Sequence, residues 1–247
     1  MREIKVYHLY PGHLNLYGDR GNMLALCRRA EWHGINLKII PVEPGNKINF
    51  SDCDLLFMGG GQDSDQKLVA EDLKGRSRDM KKAVEEGMVV FAVCGSYQLL
   101  GHYYTTGQGV KINGLEVIDL YTKAGQGRLI GNAVIECSLW DPPHTLVGFE
   151  NHAGKTFLGP DLQPLGQVLS GFGNNGIDKT EGAVYKNVIG TYLHGALLPK
   201  NPRLTDCLLQ NALTYKNQDD TLQELDDSLE QQAHSAAIKL AGLHRSK

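Results

Sequence analysis

Cys94 is the residue on which chemistry can be built. It follows six apolar residues, Met88-Val89-Val90-Phe91-Ala92-Val93, and precedes two small ones, Gly95 and Ser96. A short valine-led run opened by Gly87 suits a strand buried on both faces, and Tyr97-Gln98-Leu99-Leu100 can begin a helix. A thiol at such an elbow lies at the positive end of the helix, which favours the thiolate. The Gly95 amide points at whatever the sulfur attacks and can stabilise an oxyanion. A packing cysteine is the plain alternative. A nucleophilic thiol also needs a base that takes its proton and later delivers one to the leaving group. His194, at the end of the short strand pattern 188–193 and before Gly195, is the better candidate. His152, in Gly148-Phe149-Glu150-Asn151-His152, is its rival. Spacing does not separate them by geometry. Gly59-Gly60-Gly61 looks like a second wall of the same pocket, because backbone without Cβ atoms approaches a ligand closely and offers N–H donors. A flexible turn is its alternative.

Two patterns promise more than they hold. Ala153-Gly154-Lys155-Thr156 resembles the end of a phosphate loop, but the glycine that should open the loop falls at Gly148, one residue too early. ATP chemistry is therefore not expected in this chain. The nine histidines form no HxH or HExxH grouping and the five cysteines no CxxC pair, so no metal site is expected.

The elements that must position these residues alternate. Residues 3–10 read as a strand, and 22–33 as a helix with Met23, Leu24, Leu26, Cys27 and Ala30 on one face, ended by Gly34. Residues 35–42 and 53–58 read as strands, 64–86 as one long helix, and 88–93 as a fourth strand. This is the rhythm of an open, mostly parallel sheet with helices on both faces, whose ligands bind beyond the carboxyl ends of the strands. Both Cys94 and the triple glycine fall at such ends. In the second half, 115–121, 128–137, 145–150 and 182–192 read as strands, an antiparallel extension of the same sheet. Residues 202–215 and 221–240 read as helices. In the last, Leu222, Leu225, Leu229, Ala233, Ala236 and Leu240 step by three or four, the pattern of a terminal helix packing on its own domain.

Composition sets the class. With 41% hydrophobic residues the chain of 247 residues can bury a sizeable core, and a net charge of −3 gives no basic surplus for nucleic acid. No apolar run reaches the length of a membrane span. Widely spaced, odd-numbered cysteines indicate free thiols and a reduced, cytoplasmic setting. The expected organisation is one domain over 1–247, with a catalytic core at 1–217 and a helical tail at 218–247.

Taken jointly, the motifs resemble the class I glutamine amidotransferases, most closely their cobyric-acid-synthase-like branch. Cys94-Gly95-Ser96-Tyr97-Gln98-Leu99-Leu100-Gly101 is similar to that branch's Cys-Gly-Gly-Tyr-Gln-x-Leu-Gly elbow. Residues 148–152 are similar to its Gly-(Tyr/Phe)-Glu-x-His segment, and Thr191-Tyr192-Leu193-His194-Gly195 to its catalytic histidine strand. The segments 15–22, 171–176 and 198–202 narrow the resemblance to glutaminase subunits that serve peptidoglycan amidation. The likeness extends to about Leu213. It implies a flavodoxin-like α/β fold, with a central mostly parallel mixed sheet flanked by helices and the nucleophile elbow at Cys94. It further implies Cys94 as nucleophile, His194 as general base and acid, and the amides of Gly60 and Gly95 as the oxyanion hole. Gly60 and Gln98 would help hold L-glutamine. Arg128, in Gly127-Arg128-Leu129, would grip its α-carboxylate, a role suited to a bidentate guanidinium. By the same resemblance the chain carries no cofactor. ATP and magnesium belong to a MurT-like, Mur-ligase-family partner in a heterodimer, which amidates the D-glutamate of lipid II. Two departures stand out. Ser96 replaces a glycine of the elbow, and Ala196 stands where many class I enzymes have a glutamate that orients the histidine. Asp19 or the partner subunit would then supply that acid, with His152 in support. The competing readings are a stand-alone cysteine amidohydrolase or peptidase, a cobyrinate-type amidotransferase subunit, and a non-catalytic binding module.

Overall fold

Short apolar runs that alternate with amphipathic stretches fold here into a doubly wound sheet. The computed structural model describes residues 2–15, 19–217 and 221–243, so residues 16–18 of the 15–22 motif and 218–220 of the acidic tail lie outside the described residues. Strand β1 (Arg2–Leu9) leads to helix α1 (Arg20–Trp32), β2 (Ile35–Val42), β3 (Leu55–Met58), α2 (Asp63–Lys74), α3 (Ser77–Glu85), β4 (Val89–Val93) and the short helix α4 (Gly95–Leu99). After the second sheet, which is described below, the chain returns as β11 (Ala183–Tyr185), β12 (Val188–Thr191) and α5 (Pro202–Tyr215). The first sheet has the order β11-β12-β4-β3-β1-β2, parallel throughout except for the β11–β12 edge. The strand order reverses between β1 and β3, and the crevice outside such a switch point is where open α/β sheets bind ligands. The loops after β1 and β3 both open there.

The central strands are fully apolar because helices cover both faces. Every residue of β3 and β4 is buried. Each such side chain stabilises the fold by about 1.5–3 kcal/mol relative to exposure, an upper range for area-based accounting. Helix α1 buries Met23, Leu26 and Ala30, whereas Leu24 is exposed and Cys27 only half-buried. Gly34 ends the helix at φ +67°. The stretch expected as one helix over 64–86 is two, α2 and α3, broken around Gly75-Arg76.

The second half extends the first sheet only through β11 and β12, two strands where one was expected over 182–192. It builds a second sheet from β5 (Tyr103–Thr105), β6 (Lys111–Asn113), β7 (Leu120–Cys137), β8 (His144–Leu158), β9 (Gly166–Ser170) and β10 (Thr180–Glu181). Its spine is the long antiparallel β7–β8 hairpin. Ala153-Gly154-Lys155-Thr156 lies in mid-strand in β8, not in a loop before a helix. The two sheets meet where Phe149 and His194 exchange backbone hydrogen bonds.

The tail departs furthest from expectation. Helix α6 (Ser228–Leu240) begins seven residues later than the leucine pattern suggests. Leu229, Ala233, Ala236 and Leu240, expected to pack inward, face outward, with Leu229 and Leu240 each 74% exposed. Polar contacts seat the helix instead. His234 Nδ1 donates to the Lys200 carbonyl and its Nε2 pairs with the Thr145 hydroxyl, both at 2.8 Å. Ahead of the helix, Asp227 pairs with buried Arg29 at 2.6 Å, and Arg29 also binds Asp206.

Candidate active site

Strand β4 delivers Cys94 to the switch-point crevice. The residue takes φ +52°, a conformation unfavourable for an L-residue and found where a tight elbow is held by its surroundings. It is buried but for a 7% opening. Gly95 begins α4, so its N–H has no acceptor within the helix. A Cβ on Gly95 would lie 2.8 Å from Gln66 Nε2 and 3.0 Å from the Gly61 carbonyl, so the elbow requires glycine there. Ser96, the departure from the family pattern, has a local use: its hydroxyl donates to the Gly59 carbonyl and ties the elbow to the triple glycine.

Gly60 is where the site converges. A Cβ placed on it would meet His194 Cε1 at 2.9 Å, Asp19 Oδ2 at 3.3 Å and Cys94 Cβ at 3.4 Å. His194 follows β12, is fully buried, and lies close enough to the Cys94 sulfur for the two to interact electrostatically. Its Nδ1 lies 3.6 Å from Asp19 Oδ1, and Asp19 is also fully buried. Burial alone would push the imidazole toward the neutral form. The Cys94 sulfur and the Asp19 carboxylate outweigh it and raise the His194 pKa to about 10. The imidazole thus sits between sulfur and carboxylate, and both neighbours favour its protonated form.

Asp19 also receives the Gly60 N–H on Oδ2, at 2.5 Å. The amide expected in the oxyanion hole is thus engaged by a carboxylate, whereas the Gly95 amide lies at the helix start. Asp19 immediately precedes α1, where the positive end of the helix favours a carboxylate. The place expected for an orienting acid, two residues after His194, holds Ala196, packed closely on the first turn of α1. A Cβ on Gly21 would lie only 2.7 Å from Ala196 Cβ, so α1 fills that space.

His152 plays another part. Its Nδ1 donates to the Gly154 carbonyl at 2.7 Å, and its ring stacks on Tyr192 at 3.6 Å between centroids. Among the described residues its Nε2 has no hydrogen-bond partner, and Glu150 Oε2 is 3.9 Å away. Glu150 itself accepts the N–H groups of Phe172 and Gly173. Gln98 is buried behind the site. Its Nε2 donates to Tyr192 OH at 3.0 Å, and its Oε1 has no hydrogen-bond partner among the described residues. Arg128 is exposed on the second sheet, with its guanidinium on Asn151.

One residue of this neighbourhood carried no signal in the sequence. Glu181, on β10, is fully buried. It accepts Tyr192 N–H at 2.6 Å and the Thr191 hydroxyl at 3.1 Å, bracing the strand end that carries His194. Burial raises its pKa to about 8, against the opposing effect of these hydrogen bonds. Among the described residues, no three His, Cys, Asp or Glu side chains gather as a metal would require, and no helix is long and apolar enough to cross a membrane.

Comparison with known proteins agrees with this geometry. The model of the CobB/CobQ-like glutamine amidotransferase domain matches residues 5–202. The chain is 42% identical over 241 residues to the GatD subunit of the glutamine-hydrolysing lipid II isoglutaminyl synthase of Staphylococcus aureus, covering 98% of this chain and 97% of that one. It is 40% identical over 232 residues to the Streptococcus pneumoniae subunit of the same name, covering 93% and 88%. Among solved structures, PurLQS from Thermotoga maritima superposes with a TM-score of 0.57 at 15% identity, over 87% of this chain and 100% of that one, a likeness of fold. The chain belongs to the CobB/CobQ-like glutamine amidotransferases and, within that family, groups with the GatD subunits.

Proposed function

We propose that this chain is the glutaminase subunit of a lipid II isoglutaminyl synthase. Cys94 Sγ attacks the side-chain amide carbon of L-glutamine, and the oxygen becomes a tetrahedral oxyanion. The Gly95 N–H receives that charge; the Gly60 N–H joins it on leaving Asp19. One such donor typically contributes about 100- to 1,000-fold in rate. His194 gives its proton to the departing nitrogen, and ammonia leaves a glutamyl thioester on Cys94. His194 then takes a proton from water, the resulting hydroxide attacks the thioester, and glutamate departs with the sulfur restored. Asp19 holds the imidazole oriented throughout. Gln98, with a free Oε1, accepts from the substrate's N–H donors, and Arg128 binds its α-carboxylate.

Ammonia passes to an ATP- and magnesium-dependent, MurT-like partner of the Mur-ligase family, which converts the D-glutamate α-carboxyl of lipid II to D-isoglutamine. The observation that carries this reading is the convergence of Cys94, His194 and Asp19 on Gly60. The test is direct. The purified chain should release equimolar ammonia and glutamate from glutamine, and C94A should abolish both. Persistent release by C94A overturns the reading. Faster release when the synthetase is added supports coupling between the subunits; equal rates discard it.

A further inference from the structure

Strand β7 does not run unbroken along its partner. Ala124 faces Gly154 and Leu129 faces His152, so residues 125–128 stand against the single residue Ala153. Extra residues of this kind bend a strand and re-aim its side chains, and they recur beside active sites. Gly127 supplies the left-handed turn, at φ +72°. Arg128 closes the bulge.

Although exposed, the Arg128 guanidinium is held. Nε donates to Asn151 Oδ1 at 2.7 Å and Nη2 donates to the Asn151 carbonyl at 2.8 Å. Both donors lie on one edge of the fork. The other edge, Nη1 with the second Nη2 hydrogen, has no partner among the described residues. Asn151 sits on β8 two residues from Phe149, whose backbone pairs with His194. Two strand residues span roughly 7 Å and return to the same face. The clamp therefore lies about 7 Å along β8 from the residue that pairs with His194. An exposed arginine ordinarily loses much rotamer freedom when it binds a ligand; one already clamped loses less.

We infer that Asn151 is a positioning residue for glutamine selection: it holds Arg128 side-on, so that the free edge of the fork meets the substrate α-carboxylate. This rests on the glutaminase reading above and adds to it a residue that never touches the substrate.

The experiment compares glutamine with 4-aminobutanamide, which is glutamine without its α-carboxylate, on the full-length chain. N151A should raise KM for glutamine by about 10- to 100-fold, the range for losing one hydrogen bond to a charged group. Its kcat should stay within about threefold, and kcat/KM for 4-aminobutanamide should fall by less than about threefold, since no carboxylate is there to be lost. R128A should show the same split, and the double variant should be no worse than R128A alone. If R128A raises KM and N151A does not, the clamp is overturned and the glutaminase reading stands. If N151A damages both substrates equally, Asn151 is structural and the clamp is again overturned. If R128A leaves glutamine selection intact, the carboxylate role of Arg128 fails and the clamp with it. A wild-type chain inert toward glutamine overturns the functional reading itself.

Discussion

The two sheets solve different problems with different physics. The first is parallel and its central strands β3 and β4 are apolar at every position. It brings Cys94, His194 and Asp19 together at one rim with almost no exposure. The second is an antiparallel hairpin layer whose strands carry polar and charged side chains, and it bears Arg128 in the open at a bulge. Burial gives the first group fixed distances, and the neighbours of His194 favour its protonated form. Exposure leaves the second with a solvent-facing guanidinium that its neighbour Asn151 must aim. Groups that handle protons belong to the rigid layer, and groups that read substrate shape belong to the adjustable one.

The sharpest way to break that division is to exchange roles across the seam. D19A should lower glutamine turnover by about 100- to 10,000-fold, in the range for the acid that orients a catalytic histidine. H152A should lower turnover per folded molecule by less than about tenfold while lowering the melting temperature, because it loses a buried ring stacked on Tyr192. Steady-state ammonia release and thermal unfolding measure both. The opposite ranking would make His152 the base and place proton chemistry in the second sheet.

A smaller effect tests the seam. Glu181 belongs to the second sheet yet braces the strand end of the first. Its pKa is raised from its ordinary 4.5 to about 8, so the folded chain holds this proton more tightly than the unfolded chain does. The stabilising contribution is complete below pH 4.5 and is lost as pH rises toward 8, at up to about 1.4 kcal/mol per pH unit. E181Q, which cannot ionise, should flatten that decline. Denaturant midpoints at pH 5 and pH 8 check it, and an equal decline in both proteins would remove Glu181 from the account.

The smallest effect is expected in the tail. The outward stripe of α6 contributes little to folding, so L229S with L240S should change stability by no more than about 0.5 kcal/mol. A loss several times larger would mean that the stripe is covered in solution.

The same contrast explains what the amino-acid pattern revealed. Short apolar runs bordered by glycine announce the buried strands β3 and β4, and all four strands read in the first half appear near their expected positions. The elbow at Cys94 and the triple glycine were visible because small residues at strand ends have few other uses. The second sheet was harder to read. Gly125, Gly127 and Gly131 look like turns, yet they lie within the single strand β7, the first two at its bulge. The leucine stripe of the tail signals helix correctly but not which face is buried, since polar contacts at His234 and Asp227 decide the docking. His152 and His194 were indistinguishable by spacing, because only three-dimensional distance to Cys94 separates them. Glu181 was invisible, since a lone acid before a glycine carries no signature of burial.

The packing of Gly21 against Ala196 bears on how such a site changes by mutation. Any side chain at 21 would press on the Ala196 methyl and so on the turn that follows His194, and losing the carboxylate at 19 would leave the imidazole unsupported. The acid at 19 and the glycine at 21 therefore constrain the same histidine from one helix turn, and neither changes without disturbing it.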